Sequence, residues 1–322
     1  MKRYILVMLA TAVLTVSEAA PKKLKDSQIT VAVYNLTSSK TRAMDVEKGK
    51  APQHRLWTNC VDAVAAQLVE IDCDIVGLLD VCDSIAGKVV HSGLPDALDQ
   101  RNSGYSWLAL SNTRPSLPYE GAFNKTQAII WKSDKYDCID YGINWLGGYF
   151  DKNRINGEVK GDATKSVTWA RFREKSTSKE FYFMVASTNG ASNEELSRMN
   201  CNNLIKIAEE IIVAGGAPSV IVGSFNMQDN TPVYKECLAY SRWIDVYAQL
   251  KEDSLLPSSE VSDNNTRNNA RGEKPSGGRP DYVFVNAFDI DEYTVKRNRY
   301  LSADGTLVYP AYGFPVVASL KY

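Results

Sequence analysis

Histidine is nearly missing: only His54 and His91 occur in 322 residues. Imidazole is the side chain whose ordinary pKa lies near neutrality, so the chain has few candidates for a general base. Both histidines sit in polar surroundings and read as surface residues. An excess of charge is missing too, with 37 Lys and Arg against 38 Asp and Glu. Nonspecific nucleic-acid binding rests on clustered positive charge, and a net charge of -1 gives it no support. Cysteine is sparse and scattered over Cys60, Cys73, Cys82, Cys138, Cys201 and Cys237. No pair-plus-pair spacing suggests a zinc site, so these read mostly as buried free thiols. Cys73 and Cys82 are the pair that could close. A long apolar run is absent after Val16, and Tyr4 to Val16 is too short for a comfortable membrane span.

What is there begins with a leader. Met1-Lys2-Arg3 is basic, the next stretch is apolar, and Ser17-Glu18-Ala19-Ala20 supplies small residues. This is the pattern of a secretory signal peptide, assigned to 1–19 with cleavage after Ala19. Residues 20–28 read as a flexible basic lead-in and 29–322 as one domain. The mature protein is expected to be exported, to a periplasm or beyond the cell, with no transmembrane segment.

Apolar β-branched runs predict strands at 29–36, 74–81, 105–110 and 127–131. A hairpin is predicted from 167–172 and 180–186, and further strands at 220–226, 281–285 and 315–320. Helical spacing recurs over 55–71 and 193–213, the second stopped by Gly215-Gly216. Ser254 to Pro280 is poor in large apolar residues and is expected to be a long surface loop. Many short strands with a helix in each half argue for two packed sheets flanked by helices.

The run Val220-Ile221-Val222-Gly223-Ser224-Phe225-Asn226 resembles the V-I-V-x-G-D-F-N strand of the endonuclease/exonuclease/phosphatase superfamily. Other stretches follow in the same order: Gly77-Leu78-Leu79-Asp80-Val81, Val185 to Asn189, Arg279-Pro280-Asp281-Tyr282 and Ala311 to Val316. The resemblance implies an α/β (α+β) fold, a DNase I-like four-layer α/β/β/α sandwich of two packed mixed sheets. It also implies chemistry in which a divalent ion polarises a phosphate and a histidine, held by an aspartate, activates water.

Placed on that pattern, the site positions are Asn35, Asp80, Ser187, Asn189, Ser224, Asn226, Tyr312 and Gly313, with Asp281 as structural support. Asn35 and Asn226 match. Asp80 stands for a metal-binding glutamate and is the one weak metal candidate. Ser187 replaces a phosphate-contacting histidine, and Asn189 and Ser224 replace aspartates. Tyr312 and Gly313 replace the aspartate and the general-base histidine. Glycine cannot move a proton.

The expectation is therefore a catalytically impaired family member acting as a binding or accessory protein. Its neutral polar cleft suits a sugar, another small molecule or a phosphoester, with Tyr312 and Phe314 as a stacking surface. The alternative is an active metal-dependent phosphoesterase using magnesium or manganese, with a site rebuilt from Asp80, Asp281 and Asp229. Otherwise no cofactor is needed. A third reading is an interaction module working through an outer face, with the 254–278 loop as its handle.

Overall fold

A computed structural model describes residues 27–81, 83–85, 88–90, 93–109, 127–147, 165–188, 194–213, 216–225, 227–239 and 241–322. The leader, Cys82, His91, Asn189 and Asn226 lie outside the described residues.

Among the described residues, twelve strands build two large sheets: β1 Gln28–Asn35, β2 Ile75–Leu79, β3 Tyr105–Ala109, β4 Ala128–Lys132, β5 Tyr136–Trp145 and β6 Ser166–Glu174. Then come β7 Glu180–Ser187, β8 Ser219–Ser224, β9 Ile244–Asp245, β10 Asp281–Asn286, β11 Asp289–Val295 and β12 Val316–Lys321. One six-stranded sheet has the order β11-β12-β1-β2-β4-β3, and the other β9-β10-β8-β7-β6-β5. Both are mixed, since β1 and β2 are parallel, as are β7 and β8, while their other neighbours run antiparallel. β1 begins at Gln28, and Ser27 also exchanges backbone hydrogen bonds with Tyr322, so the lead-in becomes ordered before Ile29.

The layers follow from period-two burial. Along β8, Val220 and Val222 join Val31, Val33, Ile75, Phe183 and Val185 in a cluster between the sheets. Ile221 faces the other way, against Leu204, Ile207 and Ala208 of α4 (Glu194–Val213). On the far side, Ala32, Tyr34, Val76 and Leu78 meet Val64, Ala65 and Leu68 of α2 (Trp57–Ile71). Every residue of β8 is buried, which is why its centre, Val220-Ile221-Val222, is continuously apolar instead of alternating. Gly77 sits at the close approach of the sheets, where an added Cβ would lie 2.4 Å from the Val222 side chain.

Shorter helices complete the covering: α1 Ser39–Glu47, α3 Leu94–Asp99, α5 Pro232–Ala239, α6 Val246–Glu252 and α7 Ser258–Ser262. Cys60, Cys73, Cys201 and Cys237 are buried free thiols and Cys138 is half-buried. Among the described residues no helix is long and apolar enough to cross a membrane.

The 254–280 stretch departs from its expected form. It carries α7, and Glu260, Thr266, Asn268 and Arg279 within it are buried. Its segment 266–268 is threaded against the C-terminal rim. The N–H of Asn268 donates to the Tyr312 carbonyl (2.9 Å), and that of Phe314 to the Thr266 carbonyl (2.7 Å). Polar residues can be buried there because backbone and side-chain hydrogen bonds satisfy them.

Candidate functional site

Strand register gathers the expected positions at one end of the sandwich. In the first sheet Asn35 pairs with Leu79, so Asn35 and Asp80 end neighbouring parallel strands. Gly313 joins them, its N–H donating to the Asn35 carbonyl at 3.0 Å. In the second sheet Ser224 lies between Ser187 and Asp281 in register. Arg267, bridged to Gly313, reaches both Ser224 and Asp281 and so ties the two groups together.

The Asn35 side chain accepts the Thr37 N–H at 3.2 Å, the contact of a turn residue at a strand end. Asp80 is half-buried and takes a left-handed backbone, φ 59°. Ser187 is half-buried, whereas Ser224 is 1% exposed. Asp281, also 1% exposed, accepts from the Thr266 hydroxyl at 2.7 Å. Its Oδ2 lies 3.4 Å from Arg267 Nε, while its buried Oδ1 has no hydrogen-bond partner among the described residues. The Nη2 group of Arg267 donates to the Ser224 hydroxyl.

Gly313 is buried, and a Cβ built there would stand 2.6 Å from the Asn35 carbonyl oxygen and 2.9 Å from its Cβ. The place that a general base would need is closed by the neighbouring strand end.

Tyr312 is held by groups that composition did not reveal. Arg42 and Arg55 are both 0% exposed. The Arg42 guanidinium donates to the carbonyls of Leu36 (2.6 Å), Thr37, Arg55 and Pro310. That of Arg55 donates to the carbonyls of Tyr309, Ala270 and Ala311 and to Asn268 Oδ1 (3.1 Å). Burial, followed by the charge of Arg42, lowers the Arg55 pKa to about 10, so it stays protonated at neutral pH. The Tyr312 ring lies 4.6 Å from the Arg55 guanidinium and 5.4 Å from that of Arg42, in cation–π contact. Its hydroxyl donates to Asp45 at 3.0 Å, and burial together with Asp45 pushes its pKa up to about 12. Phe314 is 2% exposed and packs edge-on against Tyr309. The expected aromatic stacking surface is therefore engaged within the protein: Phe314 in the core, Tyr312 on two arginines.

A second buried ion pair braces the rim. Arg279 contacts Asp245 at 2.8 and 3.1 Å, both 1% exposed, between the rings of Tyr247 and Tyr282. Burial opposes its charge and Asp245 more than restores it, so the Arg279 pKa stands above the ordinary value. Asp229 lies beside Arg279, 3.5 Å away, and thus faces a cation. His54 is half-buried in the turn Gln53–Arg55, and burial, foremost, holds its imidazole below the usual range.

A divalent ion prefers several charged oxygens. Among the described strand-end groups, Ser224 offers a neutral hydroxyl bonded to a guanidinium, and Asp281 is already matched by the same guanidinium. Among the described residues no three His, Cys, Asp or Glu side chains form a metal-holding group. These residues do not fit a divalent ion, and Asp80, Asp229 and Asp281 are not brought together as a set. Arg267, Thr266, Asn268, Arg42 and Arg55 had no sequence signal, because isolated polar residues in a non-periodic stretch carry none.

No protein-family model and no curated protein matches the sequence. Solved structures do. An endonuclease/exonuclease/phosphatase family protein from Bacteroides thetaiotaomicron superposes with a TM-score of 0.70 at 21% identity, covering 92% of this chain and 99% of that one. A mannosyl-6-phosphatase from the same organism gives 0.68 at 20% identity, covering 91% and 100%. The human Nocturnin catalytic domain, with a bound sulfate anion, gives 0.62 at 14% identity, covering 92% and 97%. The chain has the DNase I-like fold of the endonuclease/exonuclease/phosphatase superfamily, and these identities speak for the fold alone.

Proposed function

We propose that this endonuclease/exonuclease/phosphatase fold serves here as an exported binding protein, whose cleft holds a hydroxyl-rich or phosphorylated ligand without hydrolysing it. The observation that carries this reading is Gly313. It stands where the resembled family has its general base, and the Asn35 backbone fills the space a side chain would need. Losing a general base typically slows such chemistry by about a hundredfold to ten-thousandfold. The resembled family's aspartate is replaced by Ser224 as well, and catalytic groups that act as a unit lose their value together. A sugar phosphate is the natural class to test, since one neighbour of the same fold is a mannosyl-6-phosphatase. Export is supported by the leader pattern of residues 1–19.

The test is hydrolysis of phosphomonoesters and phosphodiesters by the mature protein with magnesium and with manganese. No turnover above buffer is expected. Metal-dependent turnover that Asp80→Ala abolishes would overturn the proposal and restore the phosphoesterase alternative.

A further inference from the structure

Asp281 remains a buried carboxylate at a rim that lacks a histidine at residue 313, and a buried carboxylate requires a counter-charge. Arg267 supplies it, and the backbone puts it there. Residue 267 is bridged to Gly313 on one side, and on the other its carbonyl accepts the Ser276 N–H at 2.8 Å. A segment paired on both flanks delivers its side chain without a large ordering cost at the moment of binding.

Guanidinium carries five N–H groups in a rigid fork. Here one edge is used: Nε faces Asp281 and Nη2 donates to Ser224. The other edge, made of Nη1 and the second N–H of Nη2, has no hydrogen-bond partner among the described residues, and 30% of the side chain is open to solvent. Two parallel N–H groups match two oxygens of a phosphate or carboxylate. Ser187, half-buried and in register with Ser224, brings a hydroxyl to the same strand-end rim, a partner for a sugar hydroxyl. A divalent ion among the same groups would meet the guanidinium's like charge.

Resting on the non-hydrolytic reading above, we propose that Arg267 is a built-in cation standing in place of the metal ion. The cleft then takes a compact oxyanion carried on a polyol, a phosphorylated or carboxylated sugar, with no divalent ion involved.

Calorimetric titration of the folded mature protein tests this, using inorganic phosphate, a hexose 6-phosphate, a hexuronate and the neutral hexose, each in EDTA and then in magnesium. The two anionic sugars separate phosphate from carboxylate as the source of the oxyanion. Saturable binding of at least one anionic probe is expected, unchanged by EDTA or magnesium and weakened by salt. The neutral hexose should bind roughly tenfold or more weaker. Removing the charge alone would strand Asp281, so the variants are Arg267→Lys, which keeps the charge and loses the fork, and the pair Arg267→Gln with Asp281→Asn. Each should lose about tenfold in anion affinity while keeping the wild-type circular dichroism.

Anion binding that requires magnesium, neutral hexose bound as tightly as the anions, no saturable anion binding by folded protein, or wild-type affinity in both variants would each overturn the inference. Hydrolysis of the hexose 6-phosphate would instead overturn the non-hydrolytic reading. Tight neutral-sugar binding without turnover would leave that reading standing and remove only this one.

Discussion

At the scale of single residues, the departures from the resembled pattern are built into their surroundings. Gly313 shows this best. Gly313→Ala places a methyl 2.6 Å from the Asn35 carbonyl oxygen, and overpacking of that kind costs about 1–3 kcal/mol. Urea unfolding of the variant should show a loss of that size, and an unchanged midpoint would mean that the rim is looser than its geometry. Gly313→His, by the same argument, disrupts the rim before it restores a base. Asp80 is similar on a smaller scale: its backbone lies at φ 59°, a region that aspartate and asparagine enter far more readily than most residues. A glutamate there would gain reach and lose backbone comfort.

At the scale of elements, the β6–β7 hairpin holds by cross-strand pairing and an exposed ionic cluster. Glu180 accepts from Arg173 at 2.6 and 2.8 Å and is paired with Arg171. The Arg173 hydrogen bonds, first among the causes, lower its pKa below the usual carboxylate range. A carboxylate with a depressed folded pKa stabilises above its unfolded pKa and loses that contribution as pH falls through the folded value. Glu180→Gln should therefore melt below wild type at neutral pH, with the two converging as pH falls through the lowered folded-state pKa of Glu180. A gap that persists in acid would assign the loss to packing. The 266–268 segment is the element that matters most for the site. It reads as loop because it lacks periodicity, yet two flanking segments pair with it. Deleting 254–278 would therefore remove Arg267 and open the rim, so it cannot serve as a neutral test of an outer binding face.

At the scale of the whole molecule, three apolar clusters fill the three interfaces of the four layers. The strand-end rim is braced by Arg42, Arg55, Arg267 and Arg279. A ligand that binds only the folded state raises its melting temperature. Neither EDTA nor added magnesium should move the Tm of this protein, and a rise of several degrees with magnesium would reveal an ion that its rim residues do not suit.

Layer order and most of the sandwich strands were legible in the chain itself, because burial on one or both faces writes period two or a continuous apolar run into a strand. The helices α2 and α4 were legible for the same reason at period 3.6. The edge strand β5 and the short helices α5 and α6 were not singled out, since half-exposed or brief elements carry weak patterns. The site divided along the same line. Asn35, Asp80, Ser187, Ser224, Asp281 and Gly313 could be placed because each ends or adjoins a patterned strand. What stands between them was decided by tertiary structure alone. Arg267 reaches Ser224 and Asp281 from 43 and 14 residues away, and a charge partner chosen across a fold leaves no period in a sequence. The same holds for the closed space at Gly313: the composition shows that the histidine is gone, and only the packed strand end shows that there is no room for one.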